Sequence, residues 1–105
     1  MDAPLLVYTT FPDEATARAI ARALVERKLA ACVNLLPGMT SVYAWEGAIE
    51  EAGEIVGIVK TRKERAEAVS AAIRELHPYD TPAILLLPAG ADGATWAWLQ
   101  DGTTP

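Results

Sequence analysis

The stretch from Ala31 to Thr61 restricts the possible folds more than any other part of this chain, because it reads as extended throughout and its only turn signals are Pro37-Gly38 and Glu46-Gly47. Ala31-Cys32-Val33-Asn34-Leu35-Leu36 is a strand, and extended chain continues from Met39 to Trp45. After Glu46-Gly47 it resumes at Ala48 and runs to Thr61, with Ile49, Ile55, Val56, Ile58 and Val59 as its apolar positions. The pattern predicts a hairpin. Proline removes a ladder donor, so the first arm is expected to bend or bulge at Pro37. Arms of about 12 residues are twice the usual strand length and would overhang a sheet in a small domain. Long exposed edges invite pairing with another chain, which predicts a homo-oligomer.

The flanking segments supply the remaining elements. Leu5 to Thr10 is apolar, β-branched and aromatic, and reads as a first strand. Helix formers dominate from Pro12 to about Lys28, with Ala17, Ile20, Ala21, Leu24 and Lys28 as the inward stripe and Pro12 in the first turn. Thr61-Arg62-Lys63-Glu64 has the spacing of a capping box and predicts a second helix, with Ala66, Val69, Ile73 and Leu76 inside and its end at His77-Pro78. Thr81 to Pro88 forms the fourth strand. Its Ile84-Leu85-Leu86-Leu87 run is apolar on both faces, so helices or another subunit should cover both sides. Ala94 to Leu99 suits a short terminal helix, whose Trp96 and Trp98 gain most from burial at a core or an interface. Strand, helix, strand, strand, helix, strand is the order of a ferredoxin-like βαββαβ sandwich, an α+β fold, here one domain over residues 1–105.

Composition excludes several classes. Nine Lys and Arg against fourteen Asp and Glu give a net charge of −5, with the basic residues scattered, so nucleic acid is not an expected partner. No apolar run approaches the roughly 20 residues that span a bilayer. The Met1-Asp2-Ala3-Pro4 start lacks the basic stretch of a secretory signal, so a cytoplasmic location is expected. The single Cys32 excludes an intrachain disulfide and fits a reducing compartment.

Residues able to carry chemistry are few. The glycines form no phosphate-binding or dinucleotide spacing, and no nucleophile comes with a base and an orienter, so an enzyme is not expected. One His and one Cys cannot make a four-ligand metal site within a chain, but symmetry multiplies each residue in an oligomer. His77 lies at a helix end, where the dipole favours an imidazolium, and Cys32 lies in an apolar strand. Glu46, Glu50, Glu51 and Glu54 cluster around the hairpin and read as a solvated loop. Tyr43 and Trp45 share one strand face and could line a cleft.

Leu29-Ala30-Ala31-Cys32-Val33-Asn34, Leu36-Pro37-Gly38 and Ser41-Val42-Tyr43-Ala44-Trp45-Glu46-Gly47 resemble the CutA family of divalent-cation tolerance proteins. Lys60-Thr61, His77-Pro78-Tyr79-Asp80-Thr81-Pro82 and Trp96-Ala97-Trp98-Leu99 extend the resemblance over essentially the whole chain. It implies a PII-like homotrimer completed by the hairpin arms and the C-terminal segment. It also implies a role in metal-ion homeostasis, with copper or another divalent cation as ligand and no cofactor needed for folding. The bacterial ligand pattern has a Cys in the first strand and two adjacent His before Pro-Tyr. Here those places hold Thr9, Leu76 and His77, and Ala83 stands where an acid usually follows Thr-Pro. His77, with Cys32, is therefore the expected metal donor. The other expectation is an intersubunit cleft for a small ligand, lined by Tyr43, Trp45, Lys60, His77 and Tyr79.

Overall fold

The computed structural model describes residues 1–105. Four strands, β1 (Pro4–Phe11), β2 (Cys32–Trp45), β3 (Ala48–Arg62) and β4 (Ile84–Pro88), form one sheet in the order β2-β3-β1-β4. Every neighbouring pair is antiparallel. The helices are α1 (Glu14–Glu26), α2 (Ala66–Leu76) and α3 (Gly93–Gly102), with a single 3₁₀ turn, Lys63–Arg65, leading into α2. This is the ferredoxin-like order and strand arrangement.

Strand alternation explains where the core lies. Leu5, Val7 and Phe11 of β1 and Val59 of β3 point to one face and meet Ile20 and Leu24 of α1 and Val69 and Ile73 of α2. Phe11, Val7, Leu24, Val59, Val69 and Ile73 are fully buried, and each such side chain contributes about 1.5–3 kcal/mol. Thr9 also points inward, and its hydroxyl is buried without a hydrogen-bond partner. Nothing in the structure accounts for that.

The opposite face carries Leu6, Tyr8, Ile58, Lys60, Cys32, Asn34, Leu85 and Leu87, in rows set by the pairings Tyr8↔Ile58, Tyr8↔Leu85, Asn34↔Ile58 and Cys32↔Lys60. Helices α1 and α2 pack on the other side, and α3 reaches this face only near Arg62, whose guanidinium bonds to Thr103. Leu85, Leu86 and Leu87 remain 57%, 50% and 45% exposed, so the chain's own helices do not bury β4 on both sides as the sequence pattern allowed.

The hairpin is as long as the pattern predicts. Its two-residue turn at Glu46 (φ 47°) and Gly47 (φ 80°) places both residues in the left-handed region, as a turn matched to strand twist requires. The register shifts between Leu36 and Met39, where Pro37 and Gly38 (φ 82°) form the expected bulge. Beyond it Val42, Trp45 and Ile49 are 64%, 62% and 75% exposed.

Four expectations need correction. Helix α1 starts later, because Asp13 is its N-cap and accepts the Thr16 N–H at 2.7 Å, leaving Pro12 outside. Lys28 adopts φ 56° after the helix has ended and is exposed, so it does not belong to the stripe. Thr61 does not cap α2: it lies in β3, and its hydroxyl donates to the Leu29 carbonyl at 2.7 Å. Trp96 and Trp98 are not buried in the chain's own core, the first of the two places expected for them. Leu99 and Thr103 anchor α3 instead, at 5% and 0% exposure, while Trp98 is 47% exposed.

Arg62 ties the N-terminal segment to the residues that follow α3. Its guanidinium donates to Asp2 Oδ2 (2.8 Å), Glu64 Oε2 (2.8 Å), Thr103 Oγ1 (2.7 Å) and the Thr103 carbonyl (3.1 Å). Partial burial opposes ionisation of Asp2. The Arg62 hydrogen bond, the Glu64 and Ala3 N–H groups and the Arg62 charge outweigh it and hold the carboxyl below its ordinary value. A carboxyl depressed on folding adds stability that is present above its unfolded pKa and lost as pH falls through the folded one. The share of the urea midpoint that Asp2 supplies should therefore be constant above about pH 5 and fall below it, where an unfolded Asp begins to protonate. In Asp2→Asn that acid limb should be shallower, and an unchanged limb would show that Asp2 is not its source.

Candidate functional site

One end of the sheet brings His77, Tyr79 and Glu54 together. There β1 finishes at Phe11, α2 finishes at Leu76, and the base of the hairpin presents Glu54 just after the bulge, in register with Met39. His77, the residue after α2, is pushed into extended geometry (φ −77°, ψ 139°) by Pro78, and its N–H still closes the helix on the Ile73 carbonyl. The turn carries the imidazole inward.

His77 is 7% exposed, and its ring stacks on Phe11 at 5.5 Å with a 16° interplanar angle. Its Nε2 lies 2.8 Å from the Thr10 carbonyl, and its Nδ1 lies 3.1 Å from the Tyr79 N–H. A carbonyl can only accept and an amide can only donate. The ring is therefore neutral, with the proton on Nε2 and the lone pair on Nδ1. This corrects the expectation of an imidazolium at an exposed helix end, because the buried ring packs on Phe11 at the end of β1 instead of facing the helix carbonyls.

Tyr79 closes the cluster. Its ring lies 4.7 Å from that of His77, and its hydroxyl donates to Glu54 Oε2 at 3.1 Å. Partial burial comes first in raising the phenol pKa, followed by the Glu54 charge, the Glu54 hydrogen bond and the nearby Tyr43 and Asp13. Glu54 is half-buried within β3, so it is not part of the solvated loop to which the hairpin glutamates were assigned; Glu50 and Glu51 also lie in β3. Its signal in the sequence was its place next to the bulge, opposite Met39.

The other expected residues lie elsewhere. Cys32 is half-buried on the open sheet face opposite Lys60, in the row of Leu6. His77 bonds to Thr10, four residues along β1 from Leu6, a separation of roughly 13 Å along the strand. Cys32 and Lys60 are thus not brought to His77 within one chain. Tyr43 sits partway along the arm and is close enough to influence Tyr79, while Trp45 is at the hairpin tip. No group of three or more His, Cys, Asp and Glu side chains gathers in the chain. What one subunit offers a cation is an imidazole lone pair and a carboxylate. That nitrogen and oxygen pair suits a borderline divalent ion, whose remaining ligands would come from water or a neighbour.

A ferredoxin-like domain with a long β2–β3 hairpin, exposed leucines on β4 and an imidazole–phenol–carboxylate cluster at the hairpin base defines a class of small α+β proteins. Within that class the chain belongs to the CutA divalent ion tolerance family, whose model, described as CutA1 divalent ion tolerance protein, matches residues 5–102. The divalent-cation tolerance protein CutA of Thermus thermophilus is 41% identical over 99 residues, covering 93% of this chain and 96% of its own. A CutA homolog of Xenopus laevis is 46% identical over 81 residues, and there the match spans 77% of this chain but only 54% of the relative. Among solved structures, the divalent ion tolerance protein CutA1 of Ehrlichia chaffeensis superposes with a TM-score of 0.95 at 37% identity, covering 100% of this chain and 99% of that one. No helix of the chain is long and apolar enough to cross a membrane.

Proposed function

We propose that the protein is a cytoplasmic, non-enzymatic homotrimer of metal-ion homeostasis that binds divalent cations such as Cu²⁺ at or between its subunits. Membership of a family named for divalent-cation tolerance supports the cation. The observation that carries the site is the contact of His77, Tyr79 and Glu54, where the only imidazole in the sequence meets a carboxylate-bonded phenol. His77 is the nitrogen donor in this reading. Cys32 is a separate candidate on the sheet face that trimerisation would close, and a thiolate suits Cu⁺. The apolar open face and the overhanging arm supply the surface for assembly. Titration calorimetry with Cu²⁺ should show binding to the wild type and a loss of at least tenfold in affinity for His77→Gln, which removes the aromatic nitrogen donor. Equal affinities would remove His77 from the site.

A second reading takes the same region as a PII-like cleft for a small ligand, with Tyr43 and Tyr79 stacking. The proximity of Tyr43 to Tyr79 favours it. Lys60 and Trp45 would enter such a cleft only from a neighbouring subunit. Thermal stabilisation by anionic or aromatic metabolites but not by Cu²⁺ would select this reading over the first.

A further inference from the structure

One residue covers both donors of the cluster. The Tyr79 backbone N–H occupies the only lone pair of His77, at Nδ1, while the Tyr79 hydroxyl occupies Glu54 Oε2. The other imidazole nitrogen carries its proton to the Thr10 carbonyl and has nothing to offer a cation. A cation that takes His77 Nδ1 must therefore evict the Tyr79 N–H, and one that takes Glu54 Oε2 competes with the Tyr79 hydroxyl.

We propose that Tyr79 is a displaceable mask over the cation donors, so that binding is coupled to withdrawal of the segment between His77 and Pro82. The segment is built to move. Residues 78–81 are exposed and lie outside any helix or strand, and Tyr79 itself is 40% exposed. None of the backbone-to-backbone hydrogen bonds outside the helices and strands involves residues 78–83. Tyr79 is thus held by its two bonds to the donors and by the contact of its ring with His77. His77 on one side and the buried Pro82 on the other are fixed ends about which the segment can swing. Withdrawal frees an imidazole nitrogen and one carboxylate oxygen together, because the same residue holds both. The cost of removing the mask sets the apparent affinity below the intrinsic one.

This inference rests on the assignment of the cation to His77, and calorimetry with Cu²⁺ on four proteins separates the two. Tyr79→Phe deletes the hydroxyl over Glu54 and leaves the N–H, whereas Tyr79→Pro deletes both the hydroxyl and the N–H over His77. Tyr79→Phe should bind Cu²⁺ about two- to tenfold tighter than the wild type, the factor associated with one intramolecular hydrogen bond, and Tyr79→Pro tighter still. His77→Gln should lose binding. If Tyr79→Phe binds no tighter than the wild type while His77→Gln loses binding, the mask is wrong and the site stands. Undiminished binding by His77→Gln overturns both. Should Tyr79→Pro fail to fold, Tyr79→Phe alone decides.

Discussion

Gly57→Ala should destabilise the subunit by about 3 kcal/mol, at the upper end of what overpacking a core costs. A Cβ at Gly57 would lie 2.6 Å from Phe11 Cε2 and 3.3 Å from both Phe11 Cζ and Thr9 Cγ2. Neither neighbour can retreat. Phe11 and Thr9 are fully buried, and the Phe11 ring is backed by the His77 imidazole. For a domain of about 100 residues, each kcal/mol shifts Tm by about 4–8 °C, so a fall of about 12–24 °C is expected in thermal unfolding. Phe11→Leu should recover part of it in the double variant, because the atoms that clash are those of the ring edge. Additive losses would show that the strain arises somewhere other than the Gly57–Phe11 contact.

Leu85→Glu should have its main effect on assembly. Leu85 is 57% exposed in the single chain, on the open sheet face beside Tyr8, so the substitution removes little intrachain packing. A carboxylate buried without a partner in a subunit interface would cost several kcal/mol. In the trimer reading the wild type should scatter light with about three times the 11.2 kDa of one chain, and Leu85→Glu should shift that mass toward the monomer. Val25→Glu is the control, since Val25 is 42% exposed on α1, away from the open face, and its mass should not change. A variant that keeps the wild-type mass would place the interface elsewhere.

The residues that announced the fold did so through period and turn chemistry. Glu46-Gly47 between two extended runs marked the hairpin, and Pro37-Gly38 marked its bulge, because backbone geometry there is local. The second helix was legible, but its start was misread. Thr61 and Glu64 have capping spacing, yet β3 runs on to Arg62, and Thr61 is fully buried with its hydroxyl on the Leu29 carbonyl. Tertiary demand overrode a local signal. The tail tryptophans are a related case: large apolar area predicts burial at a core or an interface, and within the single chain the anchor is Leu99 with Thr103, whose hydroxyl accepts from Arg62 and donates to the Leu99 carbonyl.

The candidate site was legible in part. His77 stood out as the imidazole at the helix end that Pro78 forces, and Tyr79 as an aromatic residue of the expected cleft. Glu54 was one of four hairpin glutamates, and only the register shift after Leu36 explains why it, rather than Glu50 or Glu51, meets Tyr79. Cys32 and His77 are separated by the sheet register, which a sequence does not display.

Cu²⁺ titrated into the protein and followed by electron spin-echo modulation tests the proposed function most directly, because His77 is the only histidine in the chain. Modulation from a remote imidazole nitrogen can then come only from that residue. The account predicts that signal in the wild type and its absence in His77→Gln. A wild-type spectrum without imidazole modulation, or one that survives His77→Gln unchanged, would contradict it.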